Sequence, residues 1–224
     1  MIRALIFDFD GLILETETPV YQSWRELYAS LGCQLSFDKW ADTIGKAEGQ
    51  FDPFDDIEEQ MGRTVNRETL GASRRQRELE LIARQPALPG VQVILDVAIQ
   101  MSLMIGMASS SSCDWVSQHL TRLGLFDYFD TIKASDDVAH TKPDPDLYYA
   151  VLAALDLKPD QAIVFEDSPN GILAAKRAGL FCVAVPNQMT ARLNLSHADM
   201  RLNSLADQPL EELIRKVEKR LVAS

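Results

Sequence analysis

Two acidic pairs stand directly behind short apolar runs. Asp8-Phe9-Asp10-Gly11 follows Ala4–Phe7, and Glu166-Asp167 follows Ala162–Phe165. Residues i and i+2 of an extended strand point to the same side, so Asp8 and Asp10 face one crevice where the first run ends. If the two runs are neighbouring strands, as many as four carboxylates converge. Two unit charges about 4 Å apart repel by roughly 4 kcal/mol at an effective dielectric of 20. Several such pairs rival a whole folding stability of about 5–15 kcal/mol, so a cation or protons must neutralise them. All-oxygen ligands with no nearby His or Cys select a hard ion, and few carboxylates joined by a phosphate ligand suit Mg²⁺.

Asp-x-Asp-Gly alone also has plain readings. Asp and Gly both favour turns. Placing Gly11 at the sixth position of a calcium loop puts Glu17 at the twelfth, but the first position is then Ile6, inside an apolar run, and the loop is rejected. Two further stations add to the carboxylates. Leu103–Ala108 runs into Ser109-Ser110-Ser111-Ser112. Ser112 reads as a helix N-cap, whereas Ser109, nearest the strand end and with Ser110 beside it, can hydrogen-bond a phosphate oxygen. In Thr141-Lys142-Pro143-Asp144-Pro145-Asp146, a lone loop lysine is ordinarily solvated. The two prolines stiffen its flank, and a stiff loop holding one cation is what a crowded anionic crevice requires. Ser168 opens a helix after Glu166-Asp167, bringing a positive dipole end nearby.

The elements that must position these groups follow a strand–helix rhythm. After Pro89-Gly90 the pattern predicts helix at Val91–Met101, strand at Leu103–Ala108, helix at Asp114–Leu123 and a short strand at Thr131–Lys133. It continues with helix at Asp146–Leu155, strand at Ala162–Phe165, helix at Gly171–Ala178, strand at Phe181–Val185 and a last helix at Glu211–Val222. Repeated strand–helix units imply a parallel sheet covered on both faces. The stretch from Thr18 to Gln85 carries only helical patterns, at Gln22–Leu31, Phe37–Thr43, Pro53–Met61 and Arg67–Arg84. The expected organisation is an α/β core from residues 1–15 and 87–224, with an all-helical insertion, 16–86, after the first strand. Its two connections, near Leu14–Glu17 and Arg84–Pro89, are where opening and closing is expected.

The chain has 224 residues and a net charge of −11, which argues against nucleic acid or an anionic membrane as partner. An anionic substrate therefore needs a local cation. Three isolated cysteines without CxxC spacing read as free thiols of a reducing compartment. Met1-Ile2-Arg3 leads straight into a strand and no apolar run reaches 18 residues, so a cytoplasmic location is expected.

The four stations, in this order and spacing, resemble the haloacid dehalogenase superfamily of phosphohydrolases, closest to its β-phosphoglucomutase-like phosphatases. Asp8-Phe9-Asp10-Gly11-Leu12-Ile13 resembles the first motif, Ser109 after Met107-Ala108 the second, Lys142-Pro143 the third, and Glu166-Asp167-Ser168-x-x-Gly171 the fourth. Each motif is weak alone; the ordered set is strong. The resemblance implies a Rossmann-like parallel sheet with a helical cap, a small phosphate ester as substrate, and a monomer or weak homodimer. It implies Asp8 as nucleophile and Asp10 as acid–base. Ser109 and Lys142 would hold phosphoryl oxygens. Mg²⁺ would be held by the Asp8 side chain, the Asp10 backbone carbonyl and Asp167, with Glu166 nearby or ligating through water.

Departures from the family pattern bear on the reaction. Sugar-phosphate mutases of this branch carry a His shortly after the first motif and an Arg on a cap loop. Glu17-Thr18-Pro19-Val20-Tyr21 offers no His, and Ile44-Gly45-Lys46-Ala47-Glu48-Gly49 has Lys46 and Glu48 but no Arg. Hydrolysis is therefore expected over mutase chemistry, and Lys46 reads first as a surface lysine. Dehalogenation needs no metal and leaves the extra carboxylates unexplained. His119, His140 and His197 lie outside the motifs and read as surface or structural residues. Trp24, Phe51 and Phe54 stand at spacings more typical of core than of a pocket. A receiver domain that accepts a phosphoryl group on Asp is a rival, but such domains place the adjacent acidic pair on the first strand. A silent protein that keeps the fold is the remaining alternative.

Overall fold

In the computed structural model, which describes residues 1–41 and 51–223, the chain divides into two compact units, Met1–Leu14 with Pro86–Ser224 and Glu15–Gln85. The first unit is a six-stranded parallel sheet in the order β3-β2-β1-β4-β5-β6. Its strands are β1 Ala4–Phe7, β2 Met104–Ala108, β3 Thr131–Lys133, β4 Ala162–Glu166, β5 Phe181–Ala184 and β6 Met200–Arg201. The helices α5 Val91–Gln100, α6 Cys113–Leu123, α7 Asp146–Leu155, α8 Pro169–Arg177 and α9 Leu210–Ala223 alternate with them. This is the α/β, Rossmann-like core expected from the strand–helix rhythm. Strand β6, which the sequence reading missed, is two residues long at the sheet edge and half exposed, too short for a periodic pattern.

The sheet is assembled from runs with no polar face. All four residues of β1 are buried, as are Ile105–Ala108, all of β4 and all of β5, the burial expected when helices cover both sides. Phe7 of β1 and Phe165 of β4 stack with ring centroids 5.0 Å apart. Strand β1 is central: Phe7 is in register with Met107 of β2 on one side and Phe165 of β4 on the other. The chain passes from β1 to β2 and β3, then crosses back to β4, so strand order reverses at β1. Open α/β sheets bind ligands outside the carboxyl ends of the strands at such a switch point.

The second unit is helical: α1 Glu17–Ser30, α2 Phe37–Ala41, α3 Pro53–Met61 and α4 Arg67–Ala83. Helix α1 starts five residues before the expected Gln22, with Pro19 in its first turn, where a missing N–H costs nothing because those donors have no intrahelical partner. Leu27, Tyr28, Cys33 and Ile57 form its buried centre, and Trp24 and Phe54 pack on it edge to face at 5.1 Å. These two partly buried aromatics thus pack on the centre of their own helical unit. Residues 42–50, which include Lys46, Glu48 and the end of the expected Phe37–Thr43 helix, lie outside the described residues. The two crossing points between the units lie side by side: Leu14 bridges Ala87, and the Leu88 N–H donates to Ile13 at 2.9 Å. No helix among the described residues is long and apolar enough to cross a membrane.

Candidate active site

The sheet register decides what meets beyond β1. Because Phe7 pairs with both Met107 and Phe165, the next residues Asp8, Ala108 and Glu166 end three adjacent strands at one level. The Asp8 N–H still donates to the Phe165 carbonyl at 3.1 Å, after which the chain leaves the sheet. The Phe9 carbonyl accepts from Ile13 and Leu14 N–H groups and closes the turn around Gly11. Gly11 has φ +82°, and a Cβ there would fall 2.4 Å from Asp167 Oδ2, so the turn requires glycine on both counts.

Lys142 joins the three strand ends. Its Nζ donates to Asp8 Oδ1 at 2.5 Å, Glu166 Oε1 at 2.6 Å and the Ala108 carbonyl at 2.7 Å, which uses all three ammonium protons. The loop lysine read as a local cation is thus buried, with only 5% of its side chain exposed. Glu166 has no exposed surface; Tyr148 of α7 donates to its Oε1 at 2.7 Å and the Ser168 hydroxyl to its Oε2 at 3.2 Å. Ser168 also caps α8, accepting from the Gly171 N–H at 3.1 Å. Asp167 is buried and accepts from Asn187 Nδ2 at 2.8 Å.

The three buried carboxylates Asp8, Glu166 and Asp167 bring ligand oxygens within 4.8 Å of one another, as the adjacency of the two strands implied. Asp10 stands apart from that group. Ser111 Oγ donates to its Oδ2 at 2.6 Å and Trp115 Nε1 to its Oδ1 at 3.0 Å, so residues at the start of α6 hold both of its oxygens. Ser109 is buried at the end of β2, its N–H bonded to the Lys133 carbonyl and its Oγ accepting from the Ser111 N–H at 3.0 Å. Ser110 is exposed at the same turn. Ser112 caps α6 as expected, accepting from the Trp115 N–H.

The charges do not balance. Burial, then Glu166, pushes the Asp8 carboxyl up to about 7 against the pull of Lys142. Burial works against the charge on Lys142 as well, but Asp8 and Glu166 outweigh it and hold its pKa above the ordinary lysine value. Lys142 pairs with two of the three clustered carboxylates, Asp8 and Glu166, and the deficit of positive charge appears at Asp8, whose carboxyl is shifted toward keeping its proton. Further positive charge restores the balance. With only oxygen donors in the cluster, the set fits a hard divalent cation such as Mg²⁺.

Four contributors escaped the sequence reading: Ser111, Trp115, Tyr148 and Asn187. Asn187 had a signal, since it follows β5 as Glu166-Asp167 ends β4, and every strand of a parallel sheet delivers its end to the same side. Tyr148 and Trp115 lie inside helices whose rotation about their axes no local pattern reveals. Of the histidines, His140 and His197 are exposed, whereas His119 is buried behind Trp115.

Gly171 is the tightest position in this shell. A Cβ there would lie 1.9 Å from the Glu166 carboxyl carbon and Oε1, and Glu166 is held by three other groups. Gly171→Ala is therefore expected to lower stability by about 3 kcal/mol, the upper end of overpacking costs. Chemical denaturation would check this, and a variant within about 0.5 kcal/mol of wild type would show that Glu166 moves freely.

The model of the haloacid dehalogenase-like hydrolases matches residues 5–185. YhcW of Bacillus subtilis (strain 168) is 46% identical over 214 residues, covering 96% of this chain and 97% of that protein. Validoxylamine A 7'-phosphate phosphatase of Streptomyces hygroscopicus subsp. limoneus is 32% identical, with 92% and 96% covered. Hexitol phosphatase B of Escherichia coli (strain K12) is 30% identical, with 95% and 97% covered. Among solved structures, CbbY from Rhodobacter sphaeroides in complex with phosphate superposes with a TM-score of 0.68 at 28% identity, covering 92% of this chain and 96% of that one. With the match running from β1 through β5 and across all four stations, the chain belongs to the haloacid dehalogenase-like hydrolases, in their phosphatase branch.

Proposed function

We propose that this protein hydrolyses the phosphomonoester of a small phosphorylated metabolite, a sugar phosphate or a similar ester, through an aspartyl-phosphate on Asp8. The observation that carries the reading is the placement of Asp8 against Lys142 at the end of the central strand, with Glu166 and Asp167 beside it. An Asp8 oxygen attacks phosphorus, the bond from phosphorus to the ester oxygen breaks, and Asp10 gives that oxygen its proton. Asp10, now a carboxylate, takes a proton from the water that attacks the phosphoryl group, and Asp8 and inorganic phosphate are released. Splitting the displacement in two lowers each barrier, and acid–base help is typically worth about 10²–10⁴ in rate.

Ser109, Ser110 and Lys142 are assigned to the phosphoryl oxygens. The Asp8 and Asp167 side chains, the Asp10 carbonyl and Glu166, directly or through water, are assigned to Mg²⁺. When bound, the ion supplies positive charge to the phosphoryl oxygens and to Asp8. The division of labour proposed is phosphoryl transfer by residues 1–14 and 86–224 and choice of ester by the helical unit 15–85. Relatives named for phosphatase activity on a hexitol and on a validoxylamine phosphate support the substrate class.

A panel of sugar phosphates, nucleotides and glycolytic acids tests the reading. Inorganic phosphate release is expected with Mg²⁺ and is expected to fall at least 100-fold in excess chelator. The unfolding midpoint of chelator-treated protein should rise on adding Mg²⁺, since a ligand at about 100 times its Kd adds roughly 2.7 kcal/mol. Equal turnover with and without chelator removes the metal from the mechanism, and an isomerised phosphate ester in place of released phosphate identifies a mutase.

A further inference from the structure

Both Asp10 oxygens are already engaged, and one of the donors is an indole. We propose that Trp115 is a positioning residue that holds the Asp10 carboxyl in line with the departing ester oxygen, so that this protein works on alcohols too basic to leave without a proton. The inference rests on the acid–base role proposed for Asp10.

The support around Trp115 is built in layers. Its backbone N–H is fixed by the Ser112 cap at 3.3 Å, so the ring projects from the first turn of α6 at a set angle. One helical turn later His119 packs edge-on against the indole, with ring centroids 4.3 Å apart and planes at 68°. His119 in turn lies 6.4 Å from the ring of Phe9, which is fully buried between Asp8 and Asp10. Arg122 Nε donates to His119 Nδ1 at 3.4 Å, which leaves that nitrogen as acceptor and the ring neutral. From this wall Trp115 Nε1 reaches Asp10 Oδ1 at 3.0 Å, while Ser111 Oγ holds Oδ2 at 2.6 Å. Two donors on the two oxygens fix both the direction and the plane of the carboxyl, as no single hydrogen bond can. An indole N–H only donates, so it takes no proton from Asp10 or from the substrate and serves as a fixed stop.

Such a stop matters in proportion to how much the leaving oxygen needs its proton. An alkyl phosphate, as in a sugar phosphate, leaves as a strongly basic alkoxide unless protonated, whereas p-nitrophenyl phosphate releases a stable phenolate. kcat/KM reports the steps through departure of the alcohol and is blind to the later attack of water. Trp115→Phe keeps an aromatic ring against His119 and removes the donor along with part of the indole's bulk. The expected result is a fall on the order of tenfold in the ratio of kcat/KM for an alkyl phosphate to that for p-nitrophenyl phosphate, a fraction of the about 10²–10⁴ available to acid catalysis. Asp10→Asn should lower the same ratio further. A ratio unchanged in Trp115→Phe while Asp10→Asn lowers it overturns the positioning role and leaves the acid assignment standing. A ratio unchanged in Asp10→Asn overturns both.

A measurement on the unsubstituted tryptophan covers the case in which Trp115→Phe does not fold. The chain has three tryptophans, and one of their three indole N–H resonances in a ¹⁵N-labelled sample should sit downfield and move upfield in Asp10→Asn. Three resonances unmoved by that substitution would show that the Trp115–Asp10 bond is not made in solution, and the proposal would fall.

Discussion

Asp8→Asn is expected to abolish turnover while leaving the protein folded. The amide keeps the size and planarity of the carboxyl but cannot form the acyl-phosphate, and loss of a catalytic nucleophile costs on the order of 10⁴-fold or more in kcat. Asp8 is buried beside Glu166 and Asp167 with one ammonium among the three carboxylates, and its own carboxyl is pushed up to about 7, first by burial and then by Glu166. Removing its charge relieves repulsion and leaves Lys142 a full partner in Glu166. Metal-free Asp8→Asn should therefore unfold at or above the wild-type midpoint. Phosphate release and thermal unfolding, measured on the same sample, check the two halves. Wild-type activity in the variant would end the nucleophile assignment, and a large drop in midpoint would show that the Asp8–Lys142 pair carries more of the fold than its neighbours suggest.

Lys142→Ala is expected to fail in the opposite way, losing fold and activity together. Its ammonium bridges the ends of β1, β2 and β4 through Asp8, Ala108 and Glu166. Truncation leaves Glu166, with no exposed surface, held only by neutral donors, and breaking a buried ion pair from one side costs about 3–5 kcal/mol. Lys142→Arg does not restore the arrangement, because a planar guanidinium cannot direct three donors at three acceptors grouped around one nitrogen position. Denaturant midpoints for both variants, with and without Mg²⁺, provide the measurement. A divalent cation between Asp8, Glu166 and Asp167 should recover part of the stability of Lys142→Ala but none of its turnover, since Mg²⁺ can neutralise the carboxylates and cannot bond the Ala108 carbonyl at the lysine's position. Near-wild-type stability in metal-free Lys142→Ala would show that the three strand ends hold together without the ammonium.

What was legible in the sequence divides along physical lines. Strands buried on both faces announce themselves as unbroken apolar runs, so β1, β4 and β5 could be placed to within a residue or two. Parallel pairing then forces every strand end to one side, and this is why Asp8, Ser109 and Glu166-Asp167 could be grouped before any coordinates. Lys142 was legible for a different reason: an anionic crevice needs a cation, and the prolines marked a stiff loop. That the lysine binds the Ala108 carbonyl depends on a backbone position that no side-chain pattern encodes. The orientation of Asp10 depends on how α6 is rotated over the sheet, which brings Trp115 and Ser111 to it across more than a hundred residues of chain. Helix α1 reaches five residues further back than the Gln22–Leu31 pattern, and Pro19 is accommodated there because a proline in a first turn removes no intrahelical bond.

The pairing of Leu14 with Ala87 and of Leu88 with Ile13 has a consequence for how such a chain can change over time. For the sheet, everything from Glu15 to Gln85 is one excursion that returns to its own starting point. The entropy of closing an excursion rises only with the logarithm of its length, about 0.6 kcal/mol for each doubling. The two ends are already stapled together by the sheet-bearing unit, so helices can be lengthened, shortened or exchanged wholesale between those staples while the register that brings Asp8 to Lys142 stays as it is. A chain wired in this way can exchange one contiguous insert while the strand ends that carry Asp8 and Glu166 keep their places.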